Sequence, residues 1–457
     1  MRVRVQPAAS RITPNEAVRR GAYVAAPAEG TYHPVPPGED PSRPVDRNRG
    51  ERMERQKALI EEAERWGAHN YHPLPVVLVR GEGVYVWDTE GRRYLDMLSA
   101  YSALNQGHCH PRIVAALKEQ AERLTLTSRA FHNDRIGPFM RRLCEITGYA
   151  KALLMNTGAE GVETAIKAAR KWGYEKKGVP AGQAEIIVCE GNFHGRTTTI
   201  IGFSSEELYR EGFGPFTPGF VRVPYGDIGA LERAITDRTV AFLVEPIQGE
   251  AGVVVPPDGY LRQASELCRA NRVLLIADEI QTGFGRTGRL FASDWEGVRP
   301  DAVIVGKALG GGVYPVSALL AGEDVMDVFT PGTHGSTFGG NPLAAAAAMA
   351  ALDVTVDERL AERADELGSW FMAELAAIDS PHVQEVRGKG LLIGIVIRPE
   401  SGTARPFCEA LMERGILAKE THEQVVRFAP PLVVTREQLE SVLPAIREVL
   451  QAPVGTA

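Results

Sequence analysis

The chain has 457 residues, with 51 Lys and Arg against 58 Asp and Glu for a formal charge of −7, and is 44% hydrophobic and 24% charged. That is an ordinary globular composition, with about three domains' worth of chain at roughly 150 residues each. The mild acidity argues against a general nucleic-acid binder, which needs a net basic face, and the longest apolar run, Leu343–Leu352, is short of the ~18 residues that cross a bilayer.

Taken in chain order, the first fifty residues stand apart. They hold eight of the thirty prolines and no apolar periodicity, so Met1–Gly50 is expected to be a disordered or loosely packed tail. Its arginines suggest a transit peptide, but Glu16, Glu29, Glu39 and Asp40 oppose that reading, and no apolar stretch follows Arg19-Arg20. Glu51–Arg65 is charged and helix-prone. Val76–Leu78 and Val84–Asp88 are expected to be short strands joined by Arg80-Gly-Glu-Gly83. The segment 51–98 then belongs with the end of the chain as part of a small domain. From 99 to 349, amphipathic helices alternate with the apolar runs Ile186–Cys189, Ala241–Val244, Val273–Ala277 and Ala302–Val305. This pattern predicts an α/β large domain whose mostly parallel sheet is buried on both faces. Residues 350–457 form a smaller α+β unit, with helices near Glu358–Ile378 and Ala404–Arg414 and strands near Leu391–Ile397 and Val425–Phe428.

The five cysteines (Cys109, Cys144, Cys189, Cys268, Cys408) are scattered and form no CxxC. They fit free thiols in a reducing compartment, hence the cytoplasm, rather than a disulfide framework or a zinc site. His108-Cys109-His110 is the densest group of possible metal ligands. It lacks a second pair at usable spacing, and a turn into a helix begun by Pro111 accounts for it. No metal is expected.

In open α/β sheets, ligands bind beyond the carboxyl ends of the strands. The run Val273–Ala277 ends in Asp278-Glu279, and Ala302–Val305 leads through Gly306 to Lys307. Pyridoxal phosphate requires such a pair: a lysine for a Schiff base, and an acid to keep the ring nitrogen protonated. Alone, a solvated Asp and Lys at two strand ends explain the pair better, since such pairs are common. Asn156-Thr-Gly-Ala-Glu160 follows an apolar run and opens a helix expected over Gly161–Lys176. It offers either backbone N–H groups for a phosphate or a plain N-cap. Gly283-Phe-Gly-Arg-Thr-Gly288 matches GxGxxG, but no helix opens at its end, which argues against a dinucleotide site.

Val244-Glu-Pro-Ile-Gln-Gly-Glu-Ala-Gly-Val-Val-Val-Pro256, Asp278-Glu-Ile-Gln-Thr-Gly283 and Gly306-Lys-Ala-Leu-Gly-Gly-Gly312 resemble the class III aminotransferases, pyridoxal-phosphate enzymes of fold type I. Other stretches resemble the ornithine aminotransferase branch: Ala68–Pro75, Ser102–Pro111, Leu124–Ala130, His334–Asn341 and Arg427–Leu432. The likeness runs from about Arg65 to about Leu450.

The resemblance implies transfer of the δ-amino group of L-ornithine to 2-oxoglutarate, on the route between arginine and proline. The alternatives within the family are acetylornithine, 4-aminobutyrate or another ω-amine. Lys307 would carry the cofactor and shuttle a proton, and Asp278 would pair with the ring nitrogen. Gln281 would sit by the phenolic oxygen, Phe193 on the ring face, and Gly158 and Ala159 at the phosphate. Thr337 would reach the phosphate of a neighbouring subunit, so the resemblance implies a homodimer or a larger assembly of dimers. Tyr71 would meet the α-amino and α-carboxylate end of ornithine, with Tyr101 lining the pocket and marking the specificity. Arg196 would take a substrate carboxylate by a bidentate fork. Arg427 would hold the α-carboxylate of glutamate, masked by Glu250 while ornithine is bound. The sequence departs from the family pattern at Val162, where a small residue is expected, and at His194, where some relatives carry tryptophan.

Overall fold

The computed structural model describes residues 49–452. The tail expected over Met1–Gly50 lies outside them except for its last two residues. Helix Arg49–Trp66 opens the described chain. Then come β1 (Leu78–Glu82), β2 (Tyr85–Asp88) and β3 (Arg93–Asp96), joined in antiparallel fashion. The expected loop at Arg80–Gly83 is mostly strand: Glu82 pairs with Tyr85, and Gly83, at φ +57°, and Val84 make the reversal. The ladder to β2 uses the backbone of residues 80–82, so one glycine in the left-handed region suffices for the turn.

The centre of the molecule is a seven-stranded sheet. Its strands are β4 (Lys151–Met155), β5 (Glu185–Cys189), β6 (Phe220–Val223), β7 (Thr239–Val244), β8 (Leu274–Asp278), β9 (Ala302–Val305) and β10 (Ser317–Ala321). They lie in the order β4-β10-β9-β8-β7-β5-β6. All neighbours are parallel except β10, which is antiparallel to β4 and β9. Every residue of β7, β8, β9 and β10 is buried, as the apolar runs require of a sheet covered on both faces. Because β7, β8 and β9 are adjacent and parallel, their carboxyl ends lie side by side. Glu245, Asp278 and Lys307 therefore stand in a row along one edge of the sheet.

The remaining strands are β11 (Val383–Lys389), β12 (Leu392–Ile397), β13 (Ile416–Leu417), β14 (Lys419–Thr421) and β15 (Val425–Phe428). β11, β12, β15 and β14 form an antiparallel sheet, whereas β13 pairs in parallel with β3. Leu95 and Met97 accordingly share one core with Phe371, Ile395, Phe428 and Leu439, from the other end of the chain. The run Leu343–Leu352 lies inside helix Pro342–Asp357, capped by Asn341. Among the described residues, no helix is long and apolar enough to cross a membrane.

Two features at the seam between the sheets have no signature in sequence. Ser99, Ala100, Tyr101 and Ser102 all have positive φ (45°, 48°, 60° and 69°), a turn of left-handed helix. Such backbone costs about 1–2 kcal/mol per residue for L-amino acids and persists only where its surroundings impose it. Part of what imposes it is Arg286, whose side chain is fully buried. Arg286 donates to the carbonyls of Leu391 (3.0 Å) and Pro430 (2.6 Å), to Ser99 Oγ (3.1 Å) and to Asn105 Oδ1 (2.7 Å). Burial without a carboxylate partner lowers its pKa to about 9. The GxGxxG segment is thus a structural tie. No α-helix opens at its end, only the short 3-10 turn Ala292–Glu296 closed by Gly297.

Candidate active site

Each strand end contributes one titratable group to the row. Asp278, the last residue of β8, is 5% exposed and accepts from His194 Nδ1 at 2.7 Å. Burial disfavours a charge on His194, but the hydrogen bond and charge of Asp278, helped by Glu245, outweigh it and hold the imidazole pKa above its ordinary value. Glu245 follows β7 and accepts from the backbone N–H of Phe193 (2.8 Å) and Gly249 (3.4 Å). Burial raises its pKa to about 7, with Asp278 adding to the rise and His194 and the two N–H groups opposing it. His194 and Glu245 were not singled out from the sequence for any role in the site. The signal that could have found them is their position just past the carboxyl ends of β5 and β7.

Lys307 follows β9 after Gly306 and begins a short 3-10 turn. Its φ of 42° is left-handed, a strained geometry for a residue with a Cβ. Desolvation by the surrounding protein lowers its pKa; Glu250 and Asp278 oppose the shift and Arg427 adds to it.

Across from Lys307 lies a chain of polar side chains. Glu250 Oε1 accepts from Arg427 Nη1 at 2.6 Å and from Gln281 Nε2 at 2.9 Å. The guanidinium of Arg427, on β15, is 1% exposed and lies 5.2 Å from the Tyr101 ring centroid. Burial would raise the Glu250 pKa, but Arg427 and Lys307 hold it below the usual carboxylate range. The left-handed turn delivers the Tyr101 ring to this pair. Tyr71 is largely exposed, and its phenol acts electrostatically on that of Tyr101. Arg405 fixes the Tyr71 segment by donating to the carbonyls of His72 and Pro73, both at 2.9 Å.

The helix after β4 spans Gly158–Trp172, three residues earlier than its expected start, and ends in a π-turn at Gly173–Lys177. Thr157 is the N-cap, in a capping box with Glu160. Gly158 and Ala159 occupy the first turn, where backbone N–H groups have no partner within the helix. The small residue this packing needs is Gly161, since a Cβ there would lie 2.9 Å from Ile304; Val162 is fully buried. Phe193 and Arg196 lie on the loop after β5.

The structure thus gathers Lys307, Asp278, Glu250, Arg427, Gln281 and Tyr101 around the ends of β7, β8 and β9. It does not bring Thr337 to them. Thr337 is exposed on a loop whose Ser336 accepts from Asn156 Nδ2 at 3.0 Å. Among the described residues, no group of His, Cys, Asp and Glu could hold a metal ion, and the five cysteines are free thiols.

The residues present fit pyridoxal phosphate. The amide oxygen of Gln281, Nε2 of His194, and Nε and Nη2 of Arg427 are all buried without a partner. Buried polar atoms are normally satisfied, so such a cluster beside one lysine suits polar ligands. A buried carboxylate supported by an imidazole suits a cationic ring nitrogen, and a helix N-terminus suits a phosphate.

Residues 66–450 match the family model described as Aminotransferase class-III. The chain is 60% identical to an ornithine aminotransferase of Brevibacillus brevis over 398 residues, 87% of this chain and 99% of that protein. Among solved structures, it superposes on the ornithine aminotransferase of Toxoplasma gondii with a TM-score of 0.85. That match has 46% identity, covers 97% of this chain and 98% of that one, and concerns a structure described as holding PLP at partial occupancy. An acetylornithine aminotransferase of Elizabethkingia anophelis superposes with a TM-score of 0.79 at 54% identity, over 86% of this chain and 98% of that one.

Proposed function

The chain belongs to the class-III aminotransferases, pyridoxal-phosphate enzymes of fold type I, and we propose that its amino donor is L-ornithine, at the δ-position, and its acceptor 2-oxoglutarate. The products are glutamate and glutamate 5-semialdehyde, which cyclises to pyrroline-5-carboxylate. The relatives named as ornithine aminotransferases support the choice of donor.

The observation that carries the reading is the Glu250–Arg427 pair. Arg427 is buried and keeps two unpartnered nitrogens, a ready site for the α-carboxylate of glutamate or 2-oxoglutarate. While Glu250 holds it, the pocket is nearly neutral there and accepts a donor that has no carboxylate at that end. The two half-reactions thus share one pocket by opening and closing one ion pair.

Pyridoxal phosphate, held in this site, supplies the protonated ring that draws electrons from the broken substrate bond. Lys307 would bind its aldehyde carbon and Asp278 its ring nitrogen, with Phe193 on the ring face and Gln281 by the phenolic oxygen. The N–H groups of Gly158 and Ala159 would hold the phosphate. His194 fixes the orientation of the Asp278 carboxylate through its 2.7 Å hydrogen bond. Lys307 Nζ would carry the proton to and from the reacting carbon, a role helped by the desolvation that lowers its pKa. Tyr71 and Arg196 would orient the α-amino and α-carboxylate end of ornithine, leaving the δ-amine nearest Lys307.

The same reading makes the enzyme a cytoplasmic homodimer in which Thr337 serves the partner's phosphate. It also makes residues 51–98 and 350–457 one small domain against the large domain 99–349, a division supported by the β3–β13 pairing.

The site-level test is Tyr101→Ile. The preference for ornithine over acetylornithine and 4-aminobutyrate, as a ratio of kcat/KM, should fall about tenfold, the scale of one or two lost packing and polar contacts. An unchanged ratio removes Tyr101 from specificity.

A further inference from the structure

Among the described residues, Arg196, unlike Arg427, has no carboxylate partner, and its side-chain polar contact is with the Tyr209 phenol. It stands exposed on the loop after β5, and among the described residues no carboxylate lies within ion-pair distance of it. A free arginine side chain carries rotamer entropy that is lost when a ligand orders it. The structure supplies something to order it beforehand. The guanidinium carbon lies 4.0 Å from the centroid of the Tyr209 ring and 5.6 Å from that of Phe193. Tyr209 meets Phe193 edge-on, with centroids 6.0 Å apart and planes at 79°.

Tyr209 sits on a single helical turn, Glu207–Arg210. Its neighbour Leu208 is 80% exposed, whereas Tyr209 is turned inward and partly buried. An aromatic at this position has no obvious structural task, since the turn buries no residue fully. It touches instead the residue expected on the cofactor face and the residue expected on the substrate. The charge of Glu250 also acts on its phenol.

We propose that Tyr209 is a positioning residue whose ring is the shelf for the Arg196 guanidinium. A guanidinium this close to a ring centroid is held there by the attraction between its charge and the ring face. The N–H edge turned away from the Tyr209 phenol then remains free, and it binds a carboxylate by the bidentate fork. Arg196 meets ornithine already oriented, and less of the contact is spent in ordering the side chain.

The proposal rests on Arg196 holding the substrate carboxylate, and the test separates the two claims. Using the holoenzyme, KM and kcat for L-ornithine are measured for Arg196→Leu, Tyr209→Ala, Tyr209→Phe and the double variant Arg196→Leu/Tyr209→Ala. Cofactor absorbance is recorded for each. If Arg196→Leu leaves KM unchanged, the reading of Arg196 fails. With that reading intact, Tyr209→Ala should raise KM about tenfold with kcat within about twofold and cofactor absorbance retained. Tyr209→Phe, which keeps the ring, should restore KM, and the double variant should be no worse than Arg196→Leu alone. Additive losses in the double variant overturn the proposal. So does a fall in kcat with loss of cofactor absorbance, or no rescue by phenylalanine.

Discussion

Lys307→Ala should lower turnover of ornithine with 2-oxoglutarate by about 10⁴-fold, the upper range for removing a positioned proton-transfer group. The size of the effect follows from where the amine sits. Lys307 is the residue that the end of β9 delivers between Asp278 and Glu250. Desolvation lowers its pKa while the two carboxylates oppose the shift, so the amine gives up its proton at lower pH than a free lysine. Its left-handed φ of 42° shows that the fold tolerates local strain to place it. Arginine at 307 should do no better, because a guanidinium does not release its proton in this range. Steady-state rates check the first point. Borohydride reduction of the holoenzyme followed by peptide mapping checks the attachment, and the pyridoxyl group should appear on the peptide containing Lys307. Residual turnover above a few per cent, or label on a different lysine, contradicts the assignment.

Arg427→Leu should divide the two half-reactions. Binding of glutamate and 2-oxoglutarate should weaken by about 10² to 10³-fold, as when one partner of a desolvated charge pair is removed. The ornithine half-reaction should change less than about fivefold. Arg427 is 1% exposed and reaches Glu250 at 2.6 Å, so its loss also leaves that carboxylate with Gln281 as its remaining side-chain donor. The pKa of Glu250, held down by Arg427 and then Lys307 against the effect of burial, should rise. Glu250→Gln acts in the opposite direction. It unmasks Arg427 and should speed the glutamate half-reaction while reducing the preference for ornithine. Single-turnover spectra with each amino acid read both effects. Equal losses on ornithine and glutamate in Arg427→Leu would mean that the pair supports the fold rather than exchanging substrates.

The parts of the site that could be read from sequence are those set by local pattern. Ala302–Val305 and Val425–Phe428 are strands with the expected bounds, and the acid and the lysine at strand ends follow directly from apolar runs that stop. What sequence does not carry is imposed by tertiary packing. The left-handed turn Ser99–Ser102 contains no glycine, so composition gives no hint of positive φ; its supports, such as Arg286, come from almost two hundred residues away. Arg286 itself sits in a glycine pattern that suggests a phosphate loop, yet its donors go to carbonyls and two side chains of distant segments. Tyr209 lies in a turn too short for any periodicity. The strand β1 runs through Gly81 because its partner β2 fixes the register, a constraint absent from local propensity. His194, noted in sequence only as a departure at a position where some relatives carry tryptophan, becomes the buried support of Asp278 once β5 and β8 are placed in one sheet.

The central claim is that this site takes ornithine at its δ-amine. Its most direct measurement is a single-turnover comparison of L-ornithine, acetylornithine and 4-aminobutyrate with the holoenzyme, followed by the cofactor spectrum. Conversion to the aminated cofactor should be fastest and most complete with ornithine. Acetylornithine or 4-aminobutyrate converting the enzyme while ornithine does not would contradict the account.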